Sequence, residues 1–475
     1  MQLAREELLC IEEEFSVNSP EKEITIPEDI SSPANLKFSN SSNAVMSIKG
    51  YSINGKKLYC NLQQLISDII DRTASVEEQV LAIWTFLVQK AYGYSSPHPG
   101  MEAHDPIKFL HIYGYGLCDD FSTVFYTICR AVGIPARVIS LDGHVVPEVK
   151  YDGKWHIIDA ADASIYRDSA GIIVGVEDIE NDLSLLDNPE RPNEPYELFG
   201  RYFNVDVLKE IFDNRNTTRD LTWYYSSLLS NTHEVAINLR PGETINFNFE
   251  SHESVFRSCD SPEIPPIFGN GTINYSPLLN KLTRMHMVEN NSLSTLDESE
   301  KAIVFRNSSN KENSIEFPFI SPFPLLKGNV NINLKVLRGI VSIECSLDKE
   351  TWSPIWSGGT DASPPKIVNL SWNFTNFDGN RSSSQFVRIV KEVPSGKISV
   401  NQDSQVFPSY QFFMRFRLPP GTEVLLNNIE ITLLFQFAPL NLPVLLGGDN
   451  SIKLNLEGKG TLTMSQSEGG DLCAY

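Results

Sequence analysis

The dipeptide Asp152-Gly153, set between two alternating apolar runs, constrains this chain more than any other feature. Asp-Gly favours a two-residue hairpin loop because both central residues must adopt positive φ. A loop of that length leaves one register. With Tyr151 opposite Lys154, His144 falls opposite Ala161. Asp159 then shares a face with His144, one diagonal step away, at roughly 7–8 Å between backbones and within side-chain reach. The spacing predicts strands over Arg137 to Ser140, His144 to Lys150 and Lys154 to Asp159.

A cysteine precedes this hairpin in a setting that suits a nucleophile. Gly114-Tyr-Gly-Leu-Cys118-Asp-Asp-Phe-Ser122 is a glycine-rich turn. Phe121, Phe125, Ile128, Cys129 and Val132 then recur at helical spacing, and Gly133-Ile-Pro-Ala-Arg137 ends the helix. Cys118 therefore sits where a turn enters a helix. Unpaired N–H groups there favour thiolate over thiol and can hold an oxyanion. Cys118, His144 and Asp159 make the set nucleophile, base and orienter. Two features work against potency. Asp119 and Asp120 put acids beside the thiol, and like charge raises a thiol pKa. Pro147 removes a ladder donor from the His144 strand, which predicts an edge or a bulge.

Four pieces together resemble the transglutaminase-like superfamily, a papain-related arrangement with Cys, His and Asp in that order. They are Gly116-Leu-Cys118-Asp-Asp120-Phe-Ser, Arg130-Ala-Val-Gly-Ile-Pro-Ala-Arg137, Gly143-His144-Val-Val-Pro-Glu148-Val and Asp152-Gly-Lys-Trp155-His-Ile-Ile-Asp159. The resemblance covers about a hundred residues, with residues 75 to 162 as its firmest part. It implies that Cys118 is the nucleophile, His144 the general base and acid, and Asp159 the group that orients the imidazole. It implies no metal or organic cofactor. The β-rich remainder resembles modules carried by bacterial multidomain relatives.

Further cleft candidates are Gly116, Asp119, Asp120, Glu148 and Trp155. The register puts Glu148 and Trp155 on the face of His144, Glu148 as an ion-pair partner or a second acid and Trp155 as a wall. His156 points to the opposite face, and Arg137 reads as a strand-anchoring ion pair. Trp84 belongs to a helical core stripe. His98, His104 and His111 read as loop residues without metal-ligand spacing. Ser346 to Trp352 reads as a β-turn.

Charge narrows the partners. A net charge of −21 repels nucleic acid and anionic membrane surfaces, so neither is expected as a partner. The most apolar stretch, Ile431 to Leu446, is broken by Gln436, Pro439, Asn441 and Pro443, so no membrane span is expected. The acidic beginning of the chain does not resemble a secretory signal, and a cytoplasmic location follows as the expectation. The seven cysteines are scattered and read as reduced thiols. The sequons at Asn216, Asn270 and Asn373 fit chance occurrence in an Asn- and Ser-rich chain.

At about 100–200 residues per domain, 475 residues allow two to four domains. Residues 1–58 read as a β arm and residues 59–232 as the α+β papain/transglutaminase-like core. Residues 233–315 read as a β-rich connecting region, and residues 316–475 as a β-sandwich domain with turn-separated strands. Within the core, Leu62, Leu65, Ile66, Ile69 and Ile70 share one helical face, and Ser75-Val-Glu-Glu78 is a capping box opening a second helix. The function expected is a thiol-dependent amide- or peptide-bond hydrolase or acyltransferase acting on a protein or peptide. Two other readings stand beside it. One is a glycan-directed protein whose cleft uses Glu148, Asp119, Asp120 or His144. The other is an inactive binding scaffold.

Overall fold

The computed structural model describes residues 10–15, 24–26, 35–93, 102–192, 203–215, 218–225, 232–249, 269–277, 288–289, 293–299, 302–360, 366–373, 386–393, 396–403, 409–443, 450–457 and 460–465. His98 with its loop, Asn216, Cys259 and Cys473 lie outside these residues.

An α+β unit occupies the first half. Strand β1 (Met46–Ile53) turns through Asn54-Gly55, both at positive φ, into the short strand Lys56–Lys57. Helix α1 (Leu62–Ile69) follows, capped by the Asn61 side chain on the Gln64 N–H. Helix α2 (Val76–Lys90) opens on the Ser75/Glu78 capping box and buries Val80, Ile83, Trp84, Leu87 and Val88. Reciprocal bonding of Ser75 and Glu78 satisfies two donors that the helix start leaves unpaired. Residues Pro106–Lys108 form one helical turn that runs into a wider turn, Phe109–Tyr113, closed by Gly114 at φ 72°. Helix α3 (Cys118–Val132) is buried along most of its length and ends on Gly133 at φ 90°.

Three strands follow, β2 (Ala136–Ser140), β3 (Val145–Tyr151) and β4 (Lys154–Ile157), of which β2 and β3 pack on α3. Tyr151 pairs with Lys154 as the hairpin spacing predicts. The ladder stops at Ile157 opposite Glu148, and Asp159 forms a bridge to Ser164 instead. The pairing of His144 with Ala161 is therefore not made, and His144 lies one residue before β3. Pro147 sits in the middle strand of the three, paired with Val138 of β2. Its carbonyl accepts from Ile158 N–H on the β4 side. N–H and C=O of one residue point the same way in an antiparallel strand, so its missing donor faces the β4 side just past that strand's last pair.

The rest of the described chain is a large antiparallel sheet-rich region. Asn313–Arg338 pairs with Ser409–Leu418 and with β5 (Glu423–Phe437), and β5 also takes Gly269–Tyr275. The strands of residues 1–58 are members of these sheets. Asn35–Ser39 pairs with Glu243–Asn248 and Gly460–Ser465, and β1 pairs with Ile237–Leu239 and Asn450–Glu457. Strands from the two ends of the chain thus lie side by side. One continuous hydrophobic core runs from Leu36 through α1, α2 and α3 to Phe435, Phe437 and Leu454. The Arg240-Pro-Gly-Glu243 turn is locked by Arg240 on the Glu243 carboxylate at 2.9 Å, and Gly242 takes φ 75°. No described helix is long and apolar enough to cross a membrane.

Candidate active site

Cys118 is the first residue of α3 and is partly exposed. Its position follows from local packing. A Cβ on Gly116 would come within 2.6 Å of Asp120 Cβ and 2.8 Å of a Phe109 ring carbon, so only glycine lets the turn lie against the helix. Asp120 Oδ2 accepts from Leu117 N–H at 2.8 Å, closing the turn onto the helix start. The N–H groups of Asp119 and Asp120 at the helix start favour the charge on the Asp119 carboxylate. Cys118 N–H has no partner among the described residues.

His144 is buried, and its Nε2 lies 2.7 Å from Asp159 Oδ2. Asp159 Oδ1 accepts from Asp162 N–H at 2.9 Å, and Trp84 Nε1 donates to the Asp159 carbonyl at 3.1 Å. The carboxylate is thus held from behind while it meets the imidazole. The other ring nitrogen, His144 Nδ1, is buried and makes no hydrogen bond of standard geometry. Burial opposes the imidazolium, but the charge and hydrogen bond of Asp159, with the nearby Cys118 thiol, outweigh it and push His144 up to about 10. Phe203 packs edge-on against the His144 ring at 4.9 Å, and its N–H donates to Asp162 Oδ1. Burial and the Asp159 charge push Asp162 up to about 6.

The two acids that follow Cys118 meet His104. Its Nε2 lies 3.3 Å from Asp119 Oδ2 and 3.2 Å from Asp120 Oδ1. Burial works against the Asp119 charge, yet His104 and the helix N–H groups hold its carboxyl below the usual range. Burial and the Asp119 charge push Asp120 up to about 7. The ligand atoms of His104, Asp119 and Asp120 lie within 4.8 Å of one another, so these are the described residues that could gather around a cation. Their mutual hydrogen bonds account for the same geometry.

The remaining candidates have structural partners. Glu148 is fully buried and meets Arg137 at 2.6 Å, while its Oε1 accepts from Val176 N–H at 2.8 Å. Burial outweighs these two bonds and leaves its carboxyl raised. Trp155 lies under the Arg137 guanidinium at 4.2 Å and near Lys150. His156 stacks on Tyr151 with ring centroids 3.7 Å apart. His111, expected in a loop, is buried in the Phe109–Tyr113 turn, where its Nε2 accepts from Tyr59 N–H. Cys60, Cys129 and Cys345 are buried thiols, and burial pushes Cys60 and Cys345 up to about 12. Sequence reasoning missed Asp162, Phe203 and the role of His104. Asp162 had a legible signal, an acid three residues past Asp159. Phe203 and His104 reach the site through the fold alone.

No curated protein matches the chain. Among solved structures, the VIP36 exoplasmic/lumenal domain in its Ca2+/Man3GlcNAc-bound form overlaps 32% of this chain and 86% of its own, at 9% identity and a TM-score of 0.21. Its Ca2+/Man-bound form overlaps 33% and 88%, at 10% identity and 0.19. A LamA protein from Z. galactanivorans, in complex with laminaritriose and laminaritetraose, overlaps 36% and 81%, at 11% identity and 0.10. Overlaps this weak carry no argument about fold or function. The sequence match is specific by contrast: the core model of the transglutaminase-like superfamily aligns with residues 63–160, from α1 through the residue after Asp159. This segment of the chain is a transglutaminase-like superfamily domain.

Proposed function

We propose that the chain is a thiol-dependent amide-bond enzyme with Cys118 as nucleophile, His144 as acid and base and Asp159 as orienting carboxylate, in a papain-type core joined to β-sandwich modules. The observation that carries this reading is the His144–Asp159 contact at 2.7 Å, with the opposite imidazole nitrogen making no hydrogen bond of standard geometry and the Cys118 thiol close enough to favour the imidazolium. An imidazole held at one nitrogen and open at the other is what proton exchange with a thiol requires. With His144 pushed up to about 10, the ring holds its proton at neutral pH and enters the reaction as imidazolium.

The Cys118 thiolate attacks the carbonyl carbon of an amide. The oxyanion turns to the unpartnered Cys118 N–H at the start of α3. His144 gives its Nδ1 proton to the departing amine as the C–N bond breaks, leaving a thioester. Water then attacks, His144 takes its proton, and the acid leaves as the thiolate returns. Hydrolysis is favoured over amine transfer because no described feature marks an amine acceptor site. The glycan reading gains no comparable support, since Glu148 is committed to Arg137 and Val176 N–H.

A thiol-directed acyl probe at neutral pH tests the proposal. Wild type should label and Cys118→Ala should not. Equal labelling of both, or amide turnover that survives Cys118→Ala, would sink it.

A further inference from the structure

A second constellation lies away from Cys118, where the Lys56–Lys57 strand, the end of α2, the Phe109–Tyr113 turn and the short helix Pro439–Asn441 converge on a cavity of about 60 Å³. Its lining is cationic in a chain with 60 acids against 39 bases. Lys57 has its counter-ion in Asp68. Lys56 and Lys90, both half-buried, form no ion pair among the described residues. Burial and the neighbouring Lys90 push Lys56 down to about 8, and burial lowers Lys90 as well. Two like charges are therefore held together, partly out of water, with no anion to compensate them.

Two residues of the same lining also carry buried polar atoms without partners. His111 Nε2 accepts from Tyr59 N–H at 3.1 Å, so its ring proton sits on Nδ1. That Nδ1–H is buried and unpaired. Burial and the Lys56 charge keep the ring neutral, at about 3. The Asn441 amide is fixed by Nδ2, which donates to the Lys90 carbonyl at 2.6 Å and the Leu110 carbonyl at 2.9 Å. Its Oδ1 is thereby turned to the other side, buried and without a donor. Buried polar atoms seldom go unpaired, and each costs about 1–3 kcal/mol when they do.

The inventory is two ammonium groups, one N–H donor and one acceptor around a small space. A water needs about 10–15 Å³ by this measure, so the cavity has room for a few waters or one tetrahedral oxyanion. We propose that it binds a phosphate-type oxyanion, with Lys56, Lys90 and His111 Nδ1–H donating to its oxygens and Asn441 Oδ1 accepting the proton that hydrogenphosphate carries. Because its ligands come from four separate segments, an occupied site ties the transglutaminase-like domain to the C-terminal strands.

Inorganic phosphate titrated at pH 7 and constant ionic strength, followed by calorimetry and thermal melting, tests this. Wild type should bind saturably and melt higher. Lys56→Met and Lys90→Met should each weaken binding at least about tenfold, as loss of one charge-assisted contact does. Without phosphate, each variant should melt no lower than wild type, since it removes one of two unpaired like charges. Lys90→Arg should retain binding. Methyl phosphate identifies the source: its binding points to an organic phosphate, and its exclusion points to the free ion. Sulfate, with no proton for Asn441, should bind several-fold more weakly; equal binding overturns the Asn441 assignment. A melting shift matched by sodium chloride, or unchanged in both methionine variants, overturns the site.

Discussion

Replacing Asp159 with Asn isolates the part of the proposed site that geometry defines best. The substitution keeps shape and removes charge. It also dictates an orientation. Asp162 N–H donates to Asp159 Oδ1 and will hold the amide oxygen on that side. The amide NH2 then faces His144 Nε2, where Asp159 Oδ2 now sits at 2.7 Å. A donor at that point forces Nε2 to accept, which leaves the ring proton on Nδ1 and no lone pair for the thiol. The charge effect adds to this. The gap between an ordinary histidine at 6.5 and His144 at about 10 corresponds to on the order of 5 kcal/mol of imidazolium stabilisation. Without Asp159, burial opposes the imidazolium and only the Cys118 thiol still favours it. The thiolate loses its partner, and iodoacetamide alkylation of Cys118 at pH 7 should slow by roughly a hundredfold or more, in line with the loss of an orienting carboxylate in comparable triads. Mass spectrometry of Cys118 after timed quenching across pH 5–9 gives the rate without a known substrate. Nitrogen-15 shifts of the histidine rings report the tautomer. Wild-type alkylation rates across that range would refute the reasoning, and so would a His144 ring protonated on Nε2 in the variant.

Two further outcomes follow from the site's surroundings. Glu148→Ala removes a fully buried partner from Arg137 and Val176 N–H, so urea unfolding should show a loss of about 3–5 kcal/mol while the folded protein still alkylates at Cys118; a loss under about 1 kcal/mol would show that Arg137 simply re-solvates. Stability should also fall as pH rises from about 6.5 to 8, above the range in which His111, held neutral in the fold, makes it rise. Asp120 at about 7 and Asp162 at about 6 bind protons more tightly folded than unfolded, so each penalises folding once the unfolded carboxyl ionises near 4, and the penalty grows until the folded pKa is passed. His144 acts in the same sense, its contribution complete below 6.5 and lost towards about 10. A urea midpoint that rises over this range, or one whose slope Asp120→Asn leaves unchanged, would contradict these assignments.

Local chemistry made some of this structure legible. The α2 capping box, the Gly133 helix end and the Asp152-Gly153 turn depend on residues within a few positions of each other, and each forms where the sequence puts it. The meeting of His144 and Asp159 was legible for a related but different reason. The hairpin brings the two chains together, yet the ladder ends at Glu148 and the contact is completed by Asp159 turning toward Ser164. Extrapolating a register past the last paired residue gave the right neighbours and the wrong backbone. Glu148 and Trp155 share the expected face but are taken up by Arg137. Parity along a strand says which side a residue faces and not which partner claims it. His104 and Phe203 had no legible signal. Their contacts with Asp119, Asp120 and His144 need the segments 102–114 and 203–213 in place, and no pattern within either segment encodes that.

The β-rich region has a role at the site that no sequence pattern announces. Residues 102–114 lead to the turn that presents Cys118, and this stretch is held largely from outside its own domain. Tyr410 OH donates to Glu102 at 2.7 Å, Ala438 N–H donates to the His111 carbonyl at 2.8 Å, and Asn441 Nδ2 donates to the Leu110 carbonyl. Gly114 lies so close to Ala438 that an added Cβ would stand 3.1 Å from the alanine methyl. These contacts fix the backbone where it turns at Phe109–Tyr113, immediately before the glycine pair that sets Cys118 at the helix start. His104, which lies within 3.3 Å of both acids beside Cys118, belongs to the same stretch. The helix dipole can favour a thiolate only while that turn is held, and the adjacent carboxylates oppose it unless His104 stays between them. The C-terminal β-rich region therefore helps to hold the turn on which Cys118 sits.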